Sequence, residues 1–151
     1  MGNEVNNCDG VLPEQQAAAL LKLHAMVKGT HVNAGAVLIG PDSGYKDWKQ
    51  WLSTYLPIAS KQPGVLHAVT HHVYPGIGRT SYNSPQVLSG STSAEIQWYT
   101  NATKVLAPGA QVWAGEDGPI GGGDSGTPTL HAGRPMGERA LRIIFLWYRQ
   151  C

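Results

Sequence analysis

Two glutamates, Glu4 and Glu116, are each framed by small or amide-bearing residues, in "GNEVN" and "GEDGPIGGG". Paired carboxylates can hydrolyse a glycosidic bond, because a protonated one donates to the leaving oxygen while an ionised one attacks the anomeric carbon. Sequence spacing leaves their separation in the fold open, so each keeps a simpler alternative. Glu4 is also typical of an acid in the first turn of a helix, and Glu116 of a solvated loop.

A third polar cluster, "THHVYPGIGR" (Thr70–Arg79), contains two adjacent histidines. His71 and His72 point to opposite faces of a predicted strand, so at most one of them lines a site. The spacing supplies no third ligand for zinc, and we therefore predict no metal and no cofactor. The glycine run Gly121–Gly123 is not a phosphate-binding loop, because no Gly-Lys-Ser/Thr follows it.

Composition narrows the class of protein. The 151 residues suffice for one domain with a core, and 42% of them are apolar. The formal net charge is +1 without blocks of like charge, which argues against a general nucleic-acid partner. No apolar run approaches the roughly 18 residues of a transmembrane segment, and the first ten residues do not resemble a signal peptide. Cys8 and Cys151 are compatible with a disulfide without implying one.

Hydrophobic periodicity and turn residues predict alternating helices and strands. The helices are Pro13–Lys28, Tyr45–Leu56 and Ser93–Leu106, and the strands are Ala34–Gly40, Gly64–Tyr74, Gln111–Gly115 and Ala140–Gln150. In the second helix, Trp48, Trp51, Leu52 and Tyr55 form a stripe that indicates a core-facing side. Such alternation is typical of an α/β protein with a parallel sheet, in which chemistry collects at the carboxyl ends of the strands. All three polar clusters fall at such ends.

In this order, "GNEVN", "VTHHVYPGIGRT" and "VWAGEDGPIGGG" resemble the heparanase-like glycoside hydrolases of family 79, which include β-glucuronidases. "IGPDSG" (Ile39–Gly44) is similar to a family stretch after strand 5, and the terminal "WYRQ" to the end of strand 8. The resemblance implies that residues 1–151 form one partial catalytic domain. That domain would be the C-terminal half, from about the end of strand 4 through strand 8, of a (β/α)8 barrel.

The resemblance also implies roles for individual residues. Glu4 matches the general acid/base and Glu116 the nucleophile of a retaining mechanism. Asn3 matches an amide that binds the sugar 2-hydroxyl, although an N-cap is an equal alternative.

Further site residues follow from the same resemblance. His72 and Tyr74 match active-site residues of strand 6, where the tyrosine orients the nucleophile or, alternatively, only packs at the barrel rim. Gly121 and Gly122 match backbone donors for the substrate carboxylate, a role that suits glycine because main-chain N–H groups can then approach an anion closely. The alternative for the glycines is a flexible turn.

The implied activity is retaining hydrolysis of β-glucuronides, with a carbohydrate substrate and an extracellular, lysosomal or cell-surface location. Lys46 and Lys49 are offset by Asp47, which favours a plainer glucuronide over heparan sulfate. A barrel takes about 250 residues, and strands 1 to 3 and the family's β-sandwich domain have no counterpart here. We therefore expect the chain to be inactive alone, with a complementing half-barrel as a partner. The alternatives are a non-catalytic remnant that binds a sugar acid and a barrel glycosidase for neutral sugars, which would have no use for Gly121–Gly123.

Overall fold

The computed structural model describes residues 3–7, 10–30, 35–73 and 93–117. Within these ranges the helices are α1 (Pro13–Lys28), α2 (Trp48–Ala59) and α3 (Ser93–Leu106), and the strands are β1 (Leu38–Ser43), β2 (Leu66–Val73) and β3 (Gln111–Asp117). A short 3-10 turn, Val5–Asn7, precedes α1. The strands form one parallel sheet in the order β1-β2-β3, and α2 and α3 connect successive strands. The prediction of an α/β protein with a parallel sheet is confirmed.

The bounds of α1 and α3 are as predicted, but α2 is displaced. It begins at Trp48 instead of Tyr45, because Asp47 has a left-handed φ of 46° that a right-handed helix cannot contain. It continues past Pro57 to Ala59, although proline removes a backbone donor from the helix. Ala59 is fully buried in the core, and this packing keeps the last turn helical.

The strands also differ from their predicted bounds. β1 begins at Leu38 instead of Ala34, and it continues past the predicted end at Gly40 to include Pro41 and Asp42. β3 extends beyond Gly115, so Glu116 lies inside the strand and not after it. β1 resumes its pairing with β2 at Ser43, beyond an irregularity at Pro41 and Asp42, and β3 stays paired with β2 through Glu116 and Asp117.

The core lies between the helices and one face of the sheet. Leu52 and Tyr55 of α2 are almost fully buried there, together with Leu20 of α1 and Val69 of β2. The predicted stripe of α2 is confirmed, since Trp48 packs against this cluster with its ring stacked on Tyr99 at 4.6 Å. The helices thus pack against one side of the sheet.

Alternation along β2 separates these two faces. His71 points to the helices, where its ring lies 4.6 Å from that of Tyr99. Thr70 and His72 point to the opposite face, which we call the site face and define by Thr70, His72 and their strand neighbours. The prediction that His71 and His72 point to opposite faces of a strand is therefore confirmed, so at most one of them can line a site on either face.

Several predictions fall outside the described residues. They concern Tyr74, Gly121, Gly122 and the last strand Ala140–Gln150, together with a disulfide between the two cysteines. Among the helices in the described ranges, none combines the length and hydropathy that crossing a bilayer requires.

Candidate active site

His72 lies near the carboxyl end of β2 and is surrounded by three carboxylates. Its Nδ1 is 2.9 Å from Oε1 of Glu4 and 3.4 Å from Oε2 of Glu116. Its Nε2 is 3.6 Å from Oδ1 of Asp42, which is longer than a hydrogen bond and makes this contact an ion pair. The His72 side chain is only 1% exposed, so these contacts act with little screening by water.

A β-bulge brings Glu116 to the site face. Val112 pairs with Val69 and Ala114 with His71, but Glu116, and not Gly115, pairs with His72. Without the extra residue, strict alternation from Val112 would turn Glu116 towards the helices. The extra residue Gly115 therefore reverses the alternation of side chains along β3, so that Glu116 lies on the site face.

Glu4 reaches the site from the polypeptide ahead of α1. Its backbone has a left-handed φ of 48°, and its N–H donates to the carbonyl of Asp42 over 2.8 Å. The amide of Asn7 donates to Oε2 of Glu4 over 2.8 Å, which leaves Oε1 towards His72. The glutamate is thus held from both its backbone and its carboxylate.

Asn6 fastens this turn to the loop after β1. The buried Asn6 side chain donates to the carbonyls of Gly44 and Lys46 at 3.0 and 2.8 Å, and accepts from the N–H of Gly44 at 2.7 Å. Asn7 adds a fourth bond by accepting from the N–H of Lys46 at 2.9 Å. A Cβ at position 44 would overlap Asn7, so glycine is required for this close approach.

The pKa of His72 is raised. Burial by itself lowers it, because a buried imidazolium loses hydration, but the carboxylates of Asp42, Glu4 and Glu116 together outweigh that effect. The site therefore favours a protonated imidazole among acidic side chains.

The structure brings the two predicted catalytic glutamates together. One carboxylate oxygen of Glu4 and one of Glu116 lie within 4.8 Å of each other and of a ring nitrogen of His72. Glu116 is 45% exposed and Glu4 28% exposed on their side chains, so both remain accessible to a ligand.

Such a group of two carboxylates and an imidazole also has the ligand types of a metal site. Spacing along the sequence suggested no third ligand, and that step was wrong, because the fold brings Glu4, His72 and Glu116 together although Glu4 and Glu116 are 112 positions apart. In the structure, the Nδ1 atom that faces both carboxylates forms a hydrogen bond with Glu4.

The structure also bears on the alternative that Asn3 and Glu4 lie at the start of a helix. Asn3 is exposed beside Glu4, and neither residue belongs to the start of α1, whose N-cap position is Leu12 and whose first-turn acid is Glu14. The helix-start alternatives for Asn3 and Glu4 are therefore wrong with respect to α1.

Three supporting groups were not predicted from the sequence: Asp42, the bulge residue Gly115, and the amide pair Asn6 and Asn7. The sequence shows that both amides are close to Glu4, but it does not show their hydrogen-bond partners, which lie 38 to 40 residues away. In the sequence, Asp42 is recognisable only as an acid near the predicted end of a strand, in a stretch that is also typical of a turn.

Comparison with known proteins adds no family to this geometry. No protein-family model matches the chain, and no curated protein matches it as a relative.

Proposed function

We propose that the chain carries the two catalytic glutamates of a retaining glycoside hydrolase that acts on β-glucuronides, with Glu4 as general acid/base and Glu116 as nucleophile. The proposal rests on one observation, the approach of their carboxylate oxygens to within 4.8 Å. Retaining enzymes hold the two carboxyl groups about 5 to 5.5 Å apart, whereas inverting enzymes need about 6.5 to 9.5 Å for an intervening water. The short separation favours retention.

The proposed reaction has two steps. Protonated Glu4 donates its proton to the glycosidic oxygen while ionised Glu116 attacks the anomeric carbon, so the bond to the leaving group breaks as a glycosyl ester forms. Glu4, now ionised, then takes a proton from water, and the resulting hydroxide displaces Glu116. No cofactor takes part.

His72 suits this pair because its Nδ1 contacts both carboxylates. A protonated Nδ1 stabilises the ionised form of Glu116 before attack and the ionised form of Glu4 after proton donation. The protonated imidazole thus stabilises the negative charge on whichever of the two glutamates carries it at each step.

Substrate recognition draws on the family resemblance. Asn3, exposed beside Glu4, would bind the sugar 2-hydroxyl. Tyr74 would orient the nucleophile, and the backbone at Gly121 and Gly122 would bind the substrate carboxylate. The finer fold proposal is the C-terminal half of a (β/α)8 barrel, which is compatible with three parallel strands in sequential order. An extracellular, lysosomal or cell-surface location belongs to the same proposal.

A covalent trap tests the nucleophile directly. A 2-deoxy-2-fluoro-β-glucuronosyl fluoride carries a leaving group that needs no acid, so reaction depends on binding and on Glu116. We expect an adduct on the peptide containing Glu116, detected by mass spectrometry, and its loss in Glu116→Gln. Glu14→Gln, at an exposed acid on α1, is the matched control and should react like the wild type.

The second candidate is a non-catalytic fragment that binds a sugar acid. It is favoured by the sheet itself, whose described part has three strands against the eight of a full barrel. For the same reason we expect no detectable steady-state turnover of 4-nitrophenyl β-glucuronide by the 151-residue chain alone, whereas the covalent trap requires only a single reaction of Glu116 with an activated fluoride. Turnover that Glu116→Gln abolishes would overturn the expected inactivity and support the enzyme.

The trap separates the two candidates. Reversible binding of glucuronate, seen as amide chemical-shift changes around Glu4 and His72 without an adduct, would support the binding fragment. Neither binding nor an adduct would contradict both.

A further inference from the structure

We propose that Asp42 is a positioning residue of the candidate active site, which holds the His72 ring so that Nε2 faces Asp42 and Nδ1 faces both glutamates. Its consequence for catalysis rests on the proposed function, whereas its effect on the ring does not. No step of the reaction described above uses Asp42.

The contacts of the ring show why an acid at Nε2 matters. Glu4 and Glu116 both approach Nδ1, and only Asp42 among the three carboxylates approaches Nε2. If the ring rotated by half a turn about its Cβ–Cγ bond, Nδ1 and Nε2 would exchange places with the ring carbons Cδ2 and Cε1, and the three carboxylates would face carbon atoms instead of nitrogens. A carboxylate on each side therefore defines one preferred orientation for a side chain that is only 1% exposed.

Asp42 is itself held by contacts with three other segments of the chain. Its N–H donates to the hydroxyl of Thr70 on β2 over 2.9 Å, and its carbonyl accepts from Glu4 over 2.8 Å. On the third side, a Cβ added at Gly115 of β3 would overlap Oδ1 of Asp42. The carboxylate thus occupies a space that exists because the bulge residue has no side chain.

The conformation of Asp42 supports a role for its side chain. Its φ of 54° lies in the left-handed region, where a residue with a Cβ is strained and where glycine or asparagine is more easily accommodated. Asparagine keeps the shape and this backbone tolerance while removing the charge, which makes Asp42→Asn a clean substitution.

Asp42 also stabilises the proton on the nitrogen that it faces. In the protonated imidazole, Nε2 carries its proton towards the Asp42 carboxylate, while Nδ1 carries the proton that faces Glu4 and Glu116. Removing the charge of Asp42 therefore weakens the preference for this ring orientation and leaves both glutamates in place.

Nitrogen-15 spectra of the histidine rings in the full chain test the proposal. We expect His72, assigned by the signal missing in His72→Gln, to carry a proton on Nε2, and Asp42→Asn to change its two ring-nitrogen shifts. Asp47→Asn is the matched control, because Asp47 is exposed and also has a left-handed φ of 46°. Unchanged His72 shifts in a folded Asp42→Asn would overturn the proposal.

A second variant covers a failure of the first to fold. Asp42→Gly suits the left-handed backbone and removes the carboxylate, and it should alter the same shifts. Unfolding of both variants would also overturn the proposal, because a positioning residue leaves the fold intact.

The covalent trap links this inference to catalysis. Labelling of Glu116 should slow about 10- to 100-fold in Asp42→Asn, since small misplacement of reacting groups has effects of that order. If the wild type is not labelled, the proposed function fails while the spectra still decide the role of Asp42. If the wild type is labelled and Asp42→Asn has both normal spectra and a normal rate, only the inference about Asp42 fails.

Discussion

Oε2 of Glu116 lies 3.4 Å from Nδ1 of His72, on neighbouring parallel strands, because Gly115 is an extra residue in β3. The contact therefore depends on backbone geometry as much as on the two side chains. A carboxylate that alternation alone would turn towards the helices is placed on the site face, within reach of Glu4.

Replacing Gly115 by alanine tests this dependence. The new Cβ would overlap Asp42, and relieving that overlap moves either β3 or the carboxylate. We expect a loss of about 1 to 3 kcal/mol in the free energy of unfolding, the usual cost of overpacking. Urea denaturation measures it, with Gly35→Ala as the control because a Cβ at Gly35 meets nothing within 4 Å. Equal stability of the two variants would contradict the close approach.

Asn6→Ala should detach the turn that carries Glu4. It removes a buried amide that makes three hydrogen bonds and leaves the backbone groups of Gly44 and Lys46 without them. The expected loss is about 1 to 3 kcal/mol in the free energy of unfolding, for unsatisfied polar groups.

The matched control for Asn6→Ala is Asn101→Ala, on the exposed side of α3, which should stay within about 0.5 kcal/mol of the wild type. Chemical denaturation of the three proteins compares them. If Asn6→Ala lowered the free energy of unfolding no more than the control does, the hydrogen bonds of Asn6 would not be what holds the turn.

The stability of the fold should depend on pH through His72. Its pKa is raised in the folded state, so the folded protein binds this proton more tightly than the unfolded chain, whose histidine pKa is about 6.5. The resulting stabilisation is fully present below about pH 6.5 and is lost as the pH rises through the folded-state pKa.

Unfolding free energies of the wild type and of His72→Gln, measured between about pH 5.5 and pH 9, isolate this effect. The difference between the two proteins should fall as the pH rises. His67→Gln, which removes a histidine elsewhere on β2, is the matched control for the substitution itself. A difference for His72→Gln that stays constant would argue against a protonated imidazole in the site.

A double-mutant cycle tests how β1 is anchored beside Asp42. The hydroxyls of Ser43 and Tyr99 form a buried hydrogen bond of 2.7 Å between β1 and α3. Tyr99→Phe and Ser43→Ala should each cost about 1 to 3 kcal/mol by leaving the partner unsatisfied. The double variant should cost less than the sum, by an interaction energy of about 0.5 kcal/mol or more. Additive losses would mean that the two hydroxyls do not depend on each other.

The sequence predicted the elements better than their ends. Periodicity located α1 and α3 correctly, and α1 also begins with Pro13, which suits the first turn of a helix. It ended β1 before Pro41 because Pro-Asp-Ser-Gly is typical of a turn, and pairing with β2 overrides that preference. The stretch of β1 that contains Asp42 is therefore one that local propensity predicts to be a loop.

For the site, the sequence supplied the chemical types but not the geometry. Glu4, His72 and Glu116 were candidates from their surroundings, whereas the bulge that faces Glu116 towards His72 has no signal except a glycine among several. Asp42 was missed because its partners come from three separate segments, and only the fold brings those segments together. Long-range pairing of this kind has no period to detect.

The left-handed backbone at Glu4 and Asp42 has a consequence for directed evolution. On backbone strain alone each position favours glycine, since a side chain in that region costs of the order of 1 kcal/mol. A library screened only for heat resistance should therefore accumulate glycine or asparagine at these two positions. Such variants would have a higher melting temperature, but they would lack the general acid/base Glu4 and the Asp42 carboxylate that orients His72. Thermostability and catalysis therefore compete at these two positions.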